Sequence, residues 1–143
     1  MRWYESELVL TRPGVLRRCA ELLAHRIPEN TDRIAARGSA AVAVATAVAV
    51  ATDAQLLFGE ADPDTGELRF VGDGFPGARV LLLEDIVESG GHAAMSVEAL
   101  KAGGFSIIGV VALIDREGHG RNHLETQVGV TYEAEFRESE LLP

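Results

Sequence analysis

The sequence predicts an α/β domain in which a parallel sheet is flanked by helices on both faces. Three observations carry that expectation. Two continuous aliphatic runs, residues 79–84 and 105–115, have the character of strands buried on both sides. A stretch of helical periodicity, 92–102, stands between them and completes a βαβ unit. The chain has 143 residues, 47% hydrophobic and 24% charged, the size and make-up of one packed domain over residues 1–143.

After Thr11-Arg12-Pro13, an entry suited to a helix start, Val15, Leu16, Cys19, Leu22, Leu23 and Ile27 recur at three- and four-residue steps. The spacing predicts an amphipathic helix over 14–27, ended by Pro28-Glu29-Asn30, with His25 on its polar side. Cys19, the only cysteine, faces the core and has no partner for an internal disulfide. A strand over TDRIAA then leads to Arg37-Gly38-Ser39, where glycine turns the chain and serine caps the next helix. Residues 40–51 alternate valine and alanine. A strand with that pattern would lack a polar face, and alanine favours helix, so a helix is expected.

AQLLF reads as a short strand, and 59–79 as a hairpin or mobile flap turning at Asp62-Pro63-Asp64-Thr65-Gly66. Beyond the βαβ unit, whose helix closes on Gly103-Gly104, the polar stretch EGHGRNHLETQ is expected as a loop. VGVTYE follows as a last short strand and 135–143 as a tail.

Thirteen basic against twenty-two acidic side chains give a net charge of −9, which disfavours nucleic acid and anionic membranes as partners. Residues 40–51 fall well short of the ~20 needed to span a bilayer. The first seven residues carry two acids and no apolar run, unlike a secretory signal, so the expected location is cytoplasmic. The dinucleotide fingerprint G-x-G-x-x-G is absent.

In open parallel sheets ligands bind beyond the carboxyl ends of strands, which directs attention to the loop in VLLLEDIVESGGH. Glu84 and Asp85 leave a buried strand there, and Gly90-Gly91 opens a helix. Glycine admits close backbone approach and a helix start offers unpaired N–H groups, a setting for phosphate. Carboxylates one step earlier can accept hydrogen bonds from sugar hydroxyls or hold Mg2+. The plainer alternative is that the two acids solvate a strand end and cap the next turn.

The aliphatic strand, acidic pair, Ser89 and glycine pair together resemble the phosphoribosyl pyrophosphate motif of type I phosphoribosyltransferases. Ala112-Leu113-Ile114-Asp115-Arg116-Glu117 is similar to the strand and Asp-Arg base-recognition loop of the orotate branch. The first helix, Arg37-Gly38 and the flap follow in family order, so the resemblance covers nearly the whole chain. It implies that fold with a reduced hood, since residues 1–13 are too few for a full one.

The resemblance also implies roles. Glu84 and Asp85 would hold the ribose and Mg2+; Glu88, Ser89, Gly90, Gly91 and His92 the 5′-phosphate; Arg37, Gly38 and Ser39 the pyrophosphate; Arg116 the base. The implied ligand is phosphoribosyl pyrophosphate or a nucleotide, the implied reaction transfer to a pyrimidine-like base, and the implied assembly a homodimer. The alternative is a catalytically inactive relative serving as a nucleotide- or sugar-phosphate-binding or protein-interaction module.

Three departures bear on activity. Glu88 stands where the family carries threonine or another small residue; a carboxylate there opposes a phosphate, or orotate's own carboxylate, by about 1 to 4 kcal/mol at ~4 Å. Otherwise it points to solvent or pairs with a cation such as Arg121. His92 stands where the family has serine or threonine, and either donates to phosphate when protonated or packs and caps. The flap holds Glu60, Asp62, Asp64, Glu67 and Asp73 with only Arg69 basic, whereas the family closes lysines over the leaving group.

Other residues leave two readings each. Trp3 and Tyr4 either replace missing base-covering groups or pack at a sheet edge. Arg116 either faces the crevice or pairs with Asp115 or Glu117. His119 and His123, four apart, would present two metal ligands on a helix, but Gly118, Gly120 and Asn122 predict a loop.

Overall fold

Proline at the first helical position costs nothing, because its missing N–H has no intrahelical acceptor there, and helix α1 (Pro13–Ala24) begins on Pro13. The computed structural model describes residues 10–141. Trp3 and Tyr4 lie outside the described residues. Strand β1 (Arg33–Arg37) leads into α2 (Ser39–Thr52), so the valine–alanine alternation is helical. Gly38, not Ser39, occupies the cap position; the strand ends against the helix too abruptly for serine to precede the first turn.

Strands β2 (Gln55–Ala61) and β3 (Leu68–Val71) form the expected hairpin. Asp62 organises its tip by accepting the N–H groups of Asp64 and Thr65 on Oδ1, at 2.8 and 3.0 Å. Strand β4 (Arg79–Val87), helix α3 (Gly91–Ala102) and strand β5 (Ser106–Asp115) form the βαβ unit.

The expected loop at 117–127 is largely helical: α4 (Gly120–Asn122) runs into a π-helical turn over His123–Val128. Fully buried Leu124 anchors it, and that burial outweighs the local glycine signals. The last strand, β6 (Tyr132–Arg137), lies four residues later than the sequence suggests and absorbs part of the tail; a helical turn, α5 (Glu138–Leu141), follows.

The sheet order is β3-β2-β1-β4-β5-β6, all parallel except the edge strand β3. Side chains alternate between two cores. Ile34, Ala36, Leu81 and Leu83 pack with α1 and α2 on one face, and Ala35, Val80 and Leu82 pack with α3 and Leu124 on the other. Cys19 sits partly buried at the margin of the first core, and burial raises its thiol pKa. The β1–β4 seam is short, three residue pairs from Arg33↔Val80 to Ala35↔Leu82. Among the described residues no helix is long and apolar enough to cross a membrane.

Candidate functional site

The helices that follow β1 and β4 leave toward opposite faces, α2 to one core and α3 to the other. Between the carboxyl ends of these two adjacent strands a crevice is unavoidable. Gly38 (φ 86°) and Gly90 (φ 82°) make the turns on its two sides, backbone conformations that a side chain would strain. Both turns place a helix N-terminus at the crevice.

Glu84 closes the unbroken buried run of β4, residues 80–84, and is 1% exposed. Its Oε2 lies 3.4 Å from His92 Nδ1, while Oε1 is buried with no hydrogen-bond partner among the described residues. Burial pushes its carboxyl pKa up, opposed by His92 and Arg37. Leaving such an oxygen unmatched costs about 1–3 kcal/mol, a penalty that a ligand hydroxyl could relieve. Asp85 beside it is half-buried.

Arg37 bridges the crevice. Its Nε donates to Ser96 Oγ at 2.7 Å and its terminal nitrogen to the His92 carbonyl at 2.9 Å. Ser96 is fully buried and bonds the same carbonyl at 3.3 Å. The turn after β1 is thereby fastened to the first turn of α3. Ser89 Oγ accepts the Gly91 N–H at 3.3 Å, and exposed His92 extends from the helix start.

Glu88 pairs with Arg116 at 3.2 Å, not with Arg121, and Arg116 has its second carboxylate in Glu138 at 3.7 Å rather than in Asp115 or Glu117. The reason is backbone proximity. Gly120 N–H donates to the Glu88 carbonyl at 2.8 Å and Arg116 N–H to the Val87 carbonyl at 2.9 Å, so the loops after β4 and β5 lie back to back. A Cβ on Gly120 would stand 2.5 Å from Val87 Cγ1 and 2.9 Å from the Glu88 carbonyl oxygen. Arg121 instead bonds Glu125 and the Tyr132 carbonyl and covers the Tyr132 ring.

The hairpin's one cation is engaged within the hairpin: Arg69 pairs with Glu60 at 3.0 Å and with Asp62 at 2.8 Å. His119 stands at the N-cap position of α4, and His123 opens the π-helical turn after it, its Nδ1 2.7 Å from Gln127 Oε1. His25 is exposed as expected. No group of three or more metal-ligating side chains converges among the described residues. With one unmatched carboxylate oxygen, the acidic pair has donors of the type that hold Mg2+ together with substrate phosphates.

Ser96, Gly120 and Glu138 join the site without having been expected in it. Ser96 carried a faint signal, a hydroxyl four residues after His92 inside an apolar helix stripe; the other two had none.

No family model matches the chain. It is 34% identical over 140 residues to the orotate phosphoribosyltransferase of Thermococcus gammatolerans, spanning 94% of this chain and 73% of that one. It is 32% identical over 135 residues to the hypoxanthine/guanine phosphoribosyltransferase of Methanococcus vannielii, spanning 84% and 72%. The structure superposes on orotate phosphoribosyltransferase from Aeropyrum pernix with a TM-score of 0.85 at 18% identity, covering 98% of this chain and 81% of that one.

Proposed function

The chain belongs to the type I phosphoribosyltransferase family, alongside its orotate phosphoribosyltransferases, and from that premise we propose that it binds phosphoribosyl pyrophosphate and transfers the phosphoribosyl group to a pyrimidine-like base. The carrying observation is the unmatched, buried Oε1 of Glu84 beside a glycine pair that opens a helix at the sheet's switch point. Glu84 and Asp85 accept hydrogen bonds from the ribose hydroxyls. The backbone of 88–92 receives the 5′-phosphate, and Arg37-Gly38-Ser39 flanks the pyrophosphate. Arg37 contributes chiefly by holding the two turns in register, because its guanidinium is already bonded to Ser96 and His92.

In the transfer, the bond from ribose C1 to the diphosphate oxygen breaks, the diphosphate departing with the electron pair, and a bond from C1 to a ring nitrogen of the base forms, that nitrogen's proton passing to solvent. Glu84 and Asp85 would hold Mg2+ together with the substrate, and the ion would offset charge on the departing diphosphate. The protein acts as a cytoplasmic homodimer, the flap of one subunit closing toward the other's site.

A second reading, a relative that binds the ligand without turnover, is favoured by the hairpin, whose only cation is committed to Glu60 and Asp62. Calorimetric titration of phosphoribosyl pyrophosphate with Mg2+ tests the shared claim, and absence of binding overturns it. Product formation at an ordinary enzyme rate, ~1 to 10³ s⁻¹, excludes the second reading; saturable binding without product establishes it. A monomer at tens of micromolar by light scattering would remove the shared site.

A further inference from the structure

Arg116, the residue to which the family resemblance assigns the base, follows β5 with its charge already matched. Glu88 Oε2 lies 3.2 Å from one terminal nitrogen and Glu138 Oε1 3.7 Å from Nε, and the arginine side chain is only 20% exposed. The arrangement is held from several directions. The Arg116 N–H is fixed to the Val87 carbonyl and the Glu88 carbonyl to the Gly120 N–H. Glu117 accepts both the N–H and the hydroxyl of Ser139, at 3.1 and 3.0 Å, which keeps the neighbouring Glu138 beside the guanidinium. Asp115, 5% exposed, adds a further carboxyl group below, with Arg121 4.0 Å away.

We propose that the Glu88–Arg116 ion pair sets base specificity: it commits the cation at the base end to a carboxylate of the protein, so the ring accepted there carries none of its own. This rests on the phosphoribosyltransferase reading above and on the base lying against Arg116, as the family resemblance implies. A carboxylated pyrimidine would have to displace Glu88 from the guanidinium and then sit among acids that outnumber the nearby cations. An uncharged pyrimidine leaves the pair intact and meets the edge of a neutralised arginine. Discrimination of this kind works by repulsion against the wrong ligand as much as by attraction to the right one. Because Glu88 is largely exposed, solvent screens the effect and its size is moderate.

The test uses two nucleotides that share ribose and phosphate and differ by one carboxylate, uridine 5′-monophosphate and orotidine 5′-monophosphate. Each is titrated calorimetrically into the wild type, Glu88→Gln and Glu138→Gln, with phosphoribosyl pyrophosphate and Mg2+ as the common reference ligand. The wild type is expected to prefer the uridine nucleotide by about tenfold or more, Glu88→Gln to cut that preference about tenfold, and Glu138→Gln to cut it less. Equal affinity of the wild type for both, or an unchanged ratio in Glu88→Gln while the reference ligand binds, overturns the specificity role and leaves the phosphoribosyl site standing. Failure of the wild type to bind all three ligands overturns that site and the specificity claim with it.

Discussion

The two ends of the sheet treat their charged residues differently. At the amino end Asp32 accepts the N–H and the guanidinium of Arg79 at 2.8 and 3.0 Å, and its pKa is held down to about 2 chiefly by those hydrogen bonds. A cavity of about 530 Å3 opens there too, lined by Pro28, Asp32 and Thr52 among others. At the carboxyl end a buried glutamate keeps one oxygen unmatched and its pKa is pushed up. A cavity alone does not mark a site, and Thr31 Oγ1, which lines this one, is likewise buried without a hydrogen-bond partner among the described residues; what sets the carboxyl end apart is that its unmatched atom belongs to a carboxylate. A carboxylate such as Asp32, with both oxygens bonded, serves the fold, and one such as Glu84, with an oxygen left over, can serve a ligand.

The contrast can be broken most severely at Gly120. Gly120→Ala forces a methyl against the Val87 side chain and the Glu88 carbonyl, contacts that backbone cannot relieve cheaply, and should cost about 2–3 kcal/mol in urea unfolding while abolishing ligand binding. Gly129→Ala, with open space at its Cβ but a φ of 81°, should lose only about 1 kcal/mol from backbone strain and keep the ligand.

Glu84→Gln sharpens the comparison. Removing a buried, incompletely bonded charge should stabilise the unliganded protein by about 1 kcal/mol, while affinity for phosphoribosyl pyrophosphate falls tenfold or more, roughly 1.4 kcal/mol. A variant that loses both would place Glu84 in the scaffold instead.

In the hairpin, Asp64 and Glu67 are exposed and do not hold Arg69, so Asp64→Lys/Glu67→Lys adds cations without dismantling the tip. Any phosphoribosyl transfer should quicken by about fivefold to tenfold, read in product formation at fixed substrate.

The smallest effect belongs to the amino end. An aspartate near 2 in the folded chain and near ~3.9 unfolded contributes stability above pH ~4 that disappears as the pH falls through 2. Asp32→Asn should lower the unfolding temperature at pH 7, and the difference from wild type should close between pH 4 and pH 2.

The buried strands were legible because a continuous aliphatic run has few other homes, and the 39–52 helix because valine–alanine alternation leaves no polar face for a strand. Arg37 and the 84–92 loop were legible because strand, turn and glycine occur together locally. The helical turns over 120–128 were not: Gly118, Gly120 and Gly129 punctuate like a loop, and the burial of Leu124 that overrules them is a tertiary fact. The Glu88–Arg116 pair joins residues 28 apart through two loops in register, a register set by backbone contacts at Gly118 and Gly120 that no local pattern encodes. Arg121 offered itself as the partner by type and had already been taken by Glu125 and Tyr132.

The brevity of the β1–β4 seam has a kinetic consequence. Three residue pairs join a half-sheet made from one side of the chain to a half-sheet made from the other, with β2 and β3 outboard on one flank and β5 and β6 on the other. Such a junction is the natural place for sub-global opening, in which each half stays largely formed while the two part. A ligand gripping Arg37-Gly38 on one bank and the 84–92 loop on the other would act as a rivet across that fault line, slowing amide exchange along β1 and β4 well before it altered the outer strands.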